Sequence, residues 1–198
     1  MEPTAPSSAA RDPDRLASRL RDVIDTGAAV DLHSHSRHSD GDWTPPELIA
    51  DAARLGLKLI SLTDHDTVAG QESAAEAAAS HDLLFLNGME VSLTVEGRLY
   101  HVLCFDFDPL SITWTRFASD RARRFEAYHL QTFDVARARG YAVDPDVARG
   151  PDGRLRDRPL AIALERAGFA PSLDAAQQLA RGLLPPQPPT LTYQDVFE

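Results

Sequence analysis

Cysteine is nearly absent: Cys104 is the only one in 198 residues, so no internal disulfide can form and a reducing compartment is expected. No apolar run approaches the ~20 residues that a membrane span requires. The first ten residues carry neither a basic cluster nor an apolar stretch, so they do not read as a secretory signal, and a cytoplasmic location is expected. Positive charge is also short. Twenty Lys and Arg stand against 30 Asp and Glu, a net charge of −10, which argues against non-specific DNA binding. A phosphate-bearing substrate is not excluded, because bound cations invert the charge inside a pocket. The G-x-S-x-G elbow of a serine hydrolase is missing as well, so Ser34 and Ser61 are not read as nucleophiles.

What is present suits a packed domain, alone or with a sizeable insertion: 43% of residues are hydrophobic and 25% charged. The prolines gather in residues 1–13, read as a disordered tail, and again in 185–189, read as a linker. Between them the expected elements alternate. A helix over 14–25 carries Leu16, Leu20, Val23 and Ile24 on one side and stops at Gly27. An apolar strand over 28–31 opens into a polar cluster. Thr44-Pro45-Pro46-Glu47 predicts a capped helix start, with Leu48, Ile49, Ala52 and Leu55 on the buried face. A strand over 58–63 follows, then an alanine-rich helix over 70–80 and a strand over 83–86. A hairpin of 89–95 and 98–105 turns on Glu96-Gly97. Such alternation predicts an α/β barrel or an open parallel sheet.

From 106 to 184 the pattern is helical. One long helix over 111–140 carries Trp114, Phe117, Phe125, Tyr128 and Val135, and shorter helices are expected over 159–167 and 172–183. The division expected is therefore an α/β part (barrel or parallel sheet) at 14–105, a helical insertion at 106–184, and a linker with the start of a cut-off helix at 185–198.

Six residues stand out at or beyond the apolar runs: His33, His35, Asp40, His65, Glu90 and His101. Imidazole and carboxylate are metal donors, and strand ends in an α/β barrel converge on one face. In Asp31-Leu-His33-Ser-His35, residues two apart share one side of a strand, so His33 and His35 can hold one ion. Asp31 falls on the same side and can orient a histidine. Asp64 and Asp66 flank His65 in the same supporting way. Taken singly, each piece is weak. An H-x-H is common, Asp-Gly is usually a turn, and a lone hairpin histidine is usually structural.

The string DLHSHSRHSDG resembles the first motif of the PHP (polymerase and histidinol phosphatase) family, SLTDHDT its second, and GMEVS with the histidine of LYHVLCF its third. The intervals resemble those of the branch holding 3′,5′-nucleoside bisphosphate phosphatases and 5′→3′ exoribonucleases. This resemblance implies a distorted (β/α)7 barrel, here incomplete, with a helical insertion. It also implies that His33, His35, Asp40, His65, Glu90 and His101 ligate two or three divalent ions, with Glu90 as the bridge. Manganese is implied first, with zinc, iron or magnesium as alternatives. The implied reaction is hydrolysis of phosphate esters of small nucleotides, or at short RNA 5′ ends, by metal-activated water; no protein group is assigned as catalyst. Arg121 and Arg124, four and seven residues after Phe117, and Arg158 are the candidate phosphate contacts.

Two departures stand against the family pattern. No histidine follows His129, so an Ala-His-Pro and an Asp-x-His found in this branch are missing, and an expected Arg-Pro-His reads Arg158-Pro159-Leu160. The alternative expectation is therefore a truncated or degenerate module that binds metal without turnover. His38 and His129 are read as structural, His81 as a solvated helix-end residue with no role in the site, and Cys104 as a small apolar strand residue.

Overall fold

The computed structural model describes residues 13–184 apart from 97, 151, 152 and 157. The expectations for the first twelve residues and for 185–198 lie outside the described residues. In chain order the elements are α1 (Pro13–Asp25), β1 (Val30–Ser34), α2 (Pro45–Arg54), β2 (Leu59–Leu62), α3 (Gln71–Ser80), β3 (Leu84–Val95), β4 (Arg98–Phe105), α4 (Ile112–Ala138), a 3-10 turn (Pro145–Ala148), α5 (Pro159–Arg166) and α6 (Leu173–Arg181). The four strands lie side by side in the order β1-β2-β3-β4. The first three run parallel and β4 returns antiparallel to β3. This is a mixed α/β fold. β1 starts two residues later than its apolar run suggests and extends through His33.

α2 begins as its sequence dictates. Thr44 accepts from the Glu47 backbone N–H, while the Glu47 carboxylate accepts from the Thr44 N–H at 2.8 Å, so two otherwise orphaned donors are satisfied. Its inner face buries Ile49 and Ala52 against Ile60 and Leu62 of β2 and Ala74 and Ala78 of α3. Leu55, counted on that face in the sequence, is the C-cap and lies exposed. On α1, Ile24 is likewise exposed, at 73%.

β3 corrects a second expectation. The sequence predicts two strands broken at Asn87-Gly88, but the chain runs straight through. Its first half pairs with β2 as far as Leu62↔Asn87, and its second half pairs with β4 from Gly88↔Phe105 onward. Gly88 marks the change of partner because a side chain does not fit. A Cβ there would lie 2.2 Å from the Ser61 hydroxyl and 2.7 Å from the Thr63 methyl. Buried Gln71 locks the same point: its amide donates to the carbonyls of Leu62 (2.9 Å) and Gly88 (2.8 Å), and its oxygen accepts from the Gly88 N–H. Gly88→Ala is expected to lower stability by about 2 kcal/mol by overpacking. At roughly 2–4 °C per kcal/mol for a chain of this size, a thermal melt reads this as a fall of about 4–8 °C.

α4 joins two apolar cores. Its first turns set Trp114 and Phe117 on Met89, Val91, Leu93 and Phe107, with the Phe107 and Trp114 rings 4.4 Å apart. Its last turns bury Phe133 and Ala136 against Val143, α5 and α6. Phe125, between them, touches Ala148, Leu155 and Ile162. The long helix thus carries the packing of the strand region directly into the helical region.

Candidate metal centre

Glu90 lies on β3 and is 4% exposed. It opposes Leu103 on β4, and His101 stands two residues before Leu103, so Glu90 and His101 share one face of the hairpin. His101 Nδ1 lies 2.8 Å from Glu90 Oε1. The other carboxylate oxygen, Oε2, is met by His33 Nε2 at 2.8 Å, His35 Nε2 at 3.1 Å and His65 Nδ1 at 3.7 Å. Four imidazoles thus surround one buried carboxylate. Asp40 closes the other side, 3.3 Å from His35 Nδ1 and 3.9 Å from His65 Nε2. The rings form a chain from His33 through His35 and His65 to His101, with successive centroids 5.0, 4.7 and 4.7 Å apart.

All six candidate ligands therefore come together, from β1, two loops, β3 and β4. The loops are held by buried polar contacts. Asp64, 1% exposed, accepts from the Ser36 N–H at 2.7 Å, the Ser36 hydroxyl at 2.6 Å and the Ser39 hydroxyl at 2.6 Å. It supports the loop that carries His35 and Asp40, its carboxylate taken up by the two serines. Asp66 has a left-handed backbone (φ 52°), and its carboxylate accepts from the Ser92 N–H at 2.9 Å and from Arg121 at 2.7 Å. Asp31 accepts from the backbone N–H of His33 at 3.0 Å, so it fixes that residue through the main chain and not through the ring. In the first motif, Gly41 leaves no room for a side chain, since a Cβ would lie 2.1 Å from the His35 carbonyl oxygen.

The three arginines named from the sequence part company. Arg121 is largely buried against Asp66. Arg124 is exposed, with its guanidinium 2.6 Å from Asp120 one turn earlier on the same helix. Arg158, also left-handed at φ 53°, faces Gln177 of α6 at 3.4 Å. Of the residues given no role in the site, His81 is the exposed C-cap of α3, and His129 packs between Phe125 and Tyr128. Burial lowers the His129 pKa to about 4. Cys104 pairs with Met89, and burial pushes its thiol up.

Charge in the cluster is balanced between burial and neighbours. Burial is the largest influence on Glu90 and acts upward, but the His33 hydrogen bond and the charges of His65, His101 and His33 outweigh it, so its pKa is lowered. Burial likewise dominates at His35 and lowers its pKa, against the pull of Asp40. A depressed carboxylate contributes stability above its unfolded value that is lost as pH falls. A depressed imidazole costs stability once pH drops below its unfolded value. Both signs make the cluster more stable as pH rises from acid towards neutrality.

Three overlapping sets of donors have all their ligand atoms within 4.8 Å of one another: His33, His35 and Glu90; His35, Asp40 and His65; and His65, Glu90 and His101. Borderline imidazole nitrogens mixed with hard carboxylate oxygens suit Mn, Fe or Zn better than calcium. Each set shares members with the next, as a centre holding several adjacent cations requires. Fold and donor set together define a candidate divalent-metal centre at the rim of a mixed α/β sheet. The PHP domain matches over residues 31–140, more than half of the chain, and the chain belongs to the PHP domain family.

Its relatives fit that class. It is 46% identical over 156 residues to a 3′,5′-nucleoside bisphosphate phosphatase of Chromobacterium violaceum, a match covering 76% of this chain and 43% of that protein. It is 41% identical over 78 residues to a 5′-3′ exoribonuclease of Haemophilus influenzae, covering 39% of this chain and 28% of the relative. A solved structure from Bifidobacterium adolescentis, described as a metal-dependent phosphoesterase, superposes with a TM-score of 0.68 and 28% identity over 82% of this chain and 59% of the other. The chain therefore spans less than half the length of these curated relatives. No helix among the described residues is long and apolar enough to cross a membrane.

Proposed function

We propose that this chain is a metal-dependent phosphoesterase acting on small phosphorylated nucleotides, 3′,5′-bisphosphonucleotides in the first place, or on short RNA 5′ ends. The observation that supports it most is the single buried carboxylate of Glu90 facing four imidazoles, with Asp40 opposite. His33, His35, Asp40, His65, Glu90 and His101 would hold two or three divalent ions, manganese before zinc, iron or magnesium, with Glu90 shared between them. Divalent ions held there supply Lewis acidity for a phosphate ester and for water.

The protein's own groups do the rest. Glu90 and Asp40 supply the negative charge that draws cations into the site. Asp64 holds the loop of His35 and Asp40, and Asp31 holds the backbone of His33. Asp66 fixes Arg121 beside the loop that bears His65, which makes Arg121 the best placed of the three arginines to grip a substrate phosphate. Arg124 and Arg158 are further phosphate contacts on this reading. We read residues 14–105 as part of a distorted (β/α)7 barrel, 106–184 as a helical insertion, and the location as cytoplasmic.

A second reading, a module that binds metal without turnover, is favoured by one observation: Arg158-Pro159-Leu160 stands where the resemblance led to an Arg-Pro-His. A purified sample settles between them. Mn²⁺ is expected to bind and to support phosphate release from a 3′,5′-bisphosphonucleotide or a 5′-phosphorylated short RNA. A chelator should abolish release, and added Mn²⁺ should restore it. Tight Mn²⁺ binding with no release from either substrate would leave the second reading, and no binding at all would remove both.

A further inference from the structure

We propose that Arg156 is a positioning residue for the metal centre, reaching from the helical region to the loop that presents Asp40. This rests on the metal-site reading above and extends it to a residue outside the PHP match, which ends at residue 140. Arg156 Nη2 donates to the carbonyl of Gly41 at 2.9 Å, a contact between residues 115 positions apart. Gly41 follows Asp40 directly and is the tightest point of the loop, packed on the His35 carbonyl with no room for a Cβ.

Around Gly41 the other contacts are local. The Gly41 N–H donates to the Ser36 carbonyl, the Arg37 N–H to the Trp43 carbonyl and the Arg37 guanidinium to the Asp42 carbonyl. Asp64 holds the Ser36–Ser39 side of the loop from a distance, and Arg156 supplies the long-range tie on the Gly41 side. Its own backbone is anchored, since its N–H donates to the Ala148 carbonyl at 2.9 Å and Leu155 beside it is buried with Ala148 and Ile162. The Arg156 backbone is thus anchored beside the same apolar cluster that receives Phe125 of α4. A side chain held at its base and bonded at its tip fixes the height of the Gly41 peptide, and with it the reach of Asp40 towards His35 and His65.

The pair with Asp42 is not the working part. It spans 3.8 Å, and the Asp42 side chain is 95% exposed, so water screens it. The carbonyl contact carries the effect, and a lysine, with one flexible donor in place of a planar fork, reproduces it only in part.

The test uses the full chain titrated with Mn²⁺, following bound metal by calorimetry and exchange of the 36–43 backbone amides by mass spectrometry. Arg156→Ala is expected to weaken Mn²⁺ binding roughly 10-fold, the lower end of the loss typical when a supporting partner of a metal ligand is removed. The same variant should exchange the 36–43 amides faster. Arg156→Lys should fall between it and the wild type, and Asp42→Asn should match the wild type. Circular dichroism shows whether Arg156→Ala is folded, and if it is not, Arg156→Lys alone carries the comparison. Unchanged Mn²⁺ affinity and exchange in the folded variant overturn the proposal, as does an Asp42→Asn loss equal to that of Arg156→Ala. If the wild type binds no Mn²⁺, the metal-site reading itself fails, a result distinguishable from these.

Discussion

Glu90→Gln is expected to lower the proposed Mn²⁺-dependent phosphate release by at least about 100-fold, more than the 10–100-fold range seen when an outer partner of a ligand is lost. The substitution keeps size and shape, so the core around Met89 and Val91 should stay packed. What it removes is charge. Glu90 gives one oxygen to His101 and the other to His33, His35 and His65, and it belongs to two of the three donor sets. A neutral amide brings no charge to draw cations to that point. A ligand that binds only the folded state raises its melting temperature. Added Mn²⁺ should therefore raise the melting temperature of the wild type and leave the variant almost unmoved. A variant that keeps the full Mn²⁺-induced rise, or keeps its activity, removes Glu90 from the centre of the mechanism.

The second large effect falls on a residue that touches no candidate ligand side chain. Asp64→Ala strands the Ser36 N–H and the hydroxyls of Ser36 and Ser39 in a site where Ser36 is 0% and Ser39 4% exposed. Each unsatisfied buried group costs roughly 1–3 kcal/mol, and the two hydroxyls can turn elsewhere, so a net loss of about 3 kcal/mol is expected. In a thermal melt that is a fall of roughly 6–12 °C. Metal binding should fall with it, because the Ser36–Ser39 turn sets His35 and Asp40. Asp64→Asn, which keeps one acceptor for the Ser36 N–H, should lie between. A metal-free melt of Asp64→Ala within a degree or two of the wild type would show that the turn holds itself.

Much of this was legible along the chain because the information is local. The capping box of Thr44 and Glu47 lies within four residues, and the hairpin of β3 and β4 declares itself by two strand patterns around a turn. The candidate ligands were legible as a set of donor-type side chains placed at the ends of apolar runs. The misses have a common cause: they depend on what is near in space and distant in sequence. Gly88 reads as punctuation, yet a side chain there would press on Ser61 of β2 and on Thr63 just past it. Asp64 looks like a partner for the histidine beside it, whereas its carboxylate turns to serines 25 and 28 positions away. Nothing in the neighbourhood of Arg156 announces Gly41.

The uninterrupted course of β3 makes chemistry and folding inseparable at one strand. Successive side chains on a strand point to opposite faces. Loss of a single residue between Leu84 and Met89 would leave β3 with a choice. It could keep its pairing with β2 and turn the Glu90 carboxylate into the apolar layer beneath α4, or keep its pairing with β4 and break step with β2. Neither choice preserves both the candidate ligand cluster and the core, so away from Gly88 a change of length in this stretch is expected to cost more than a substitution.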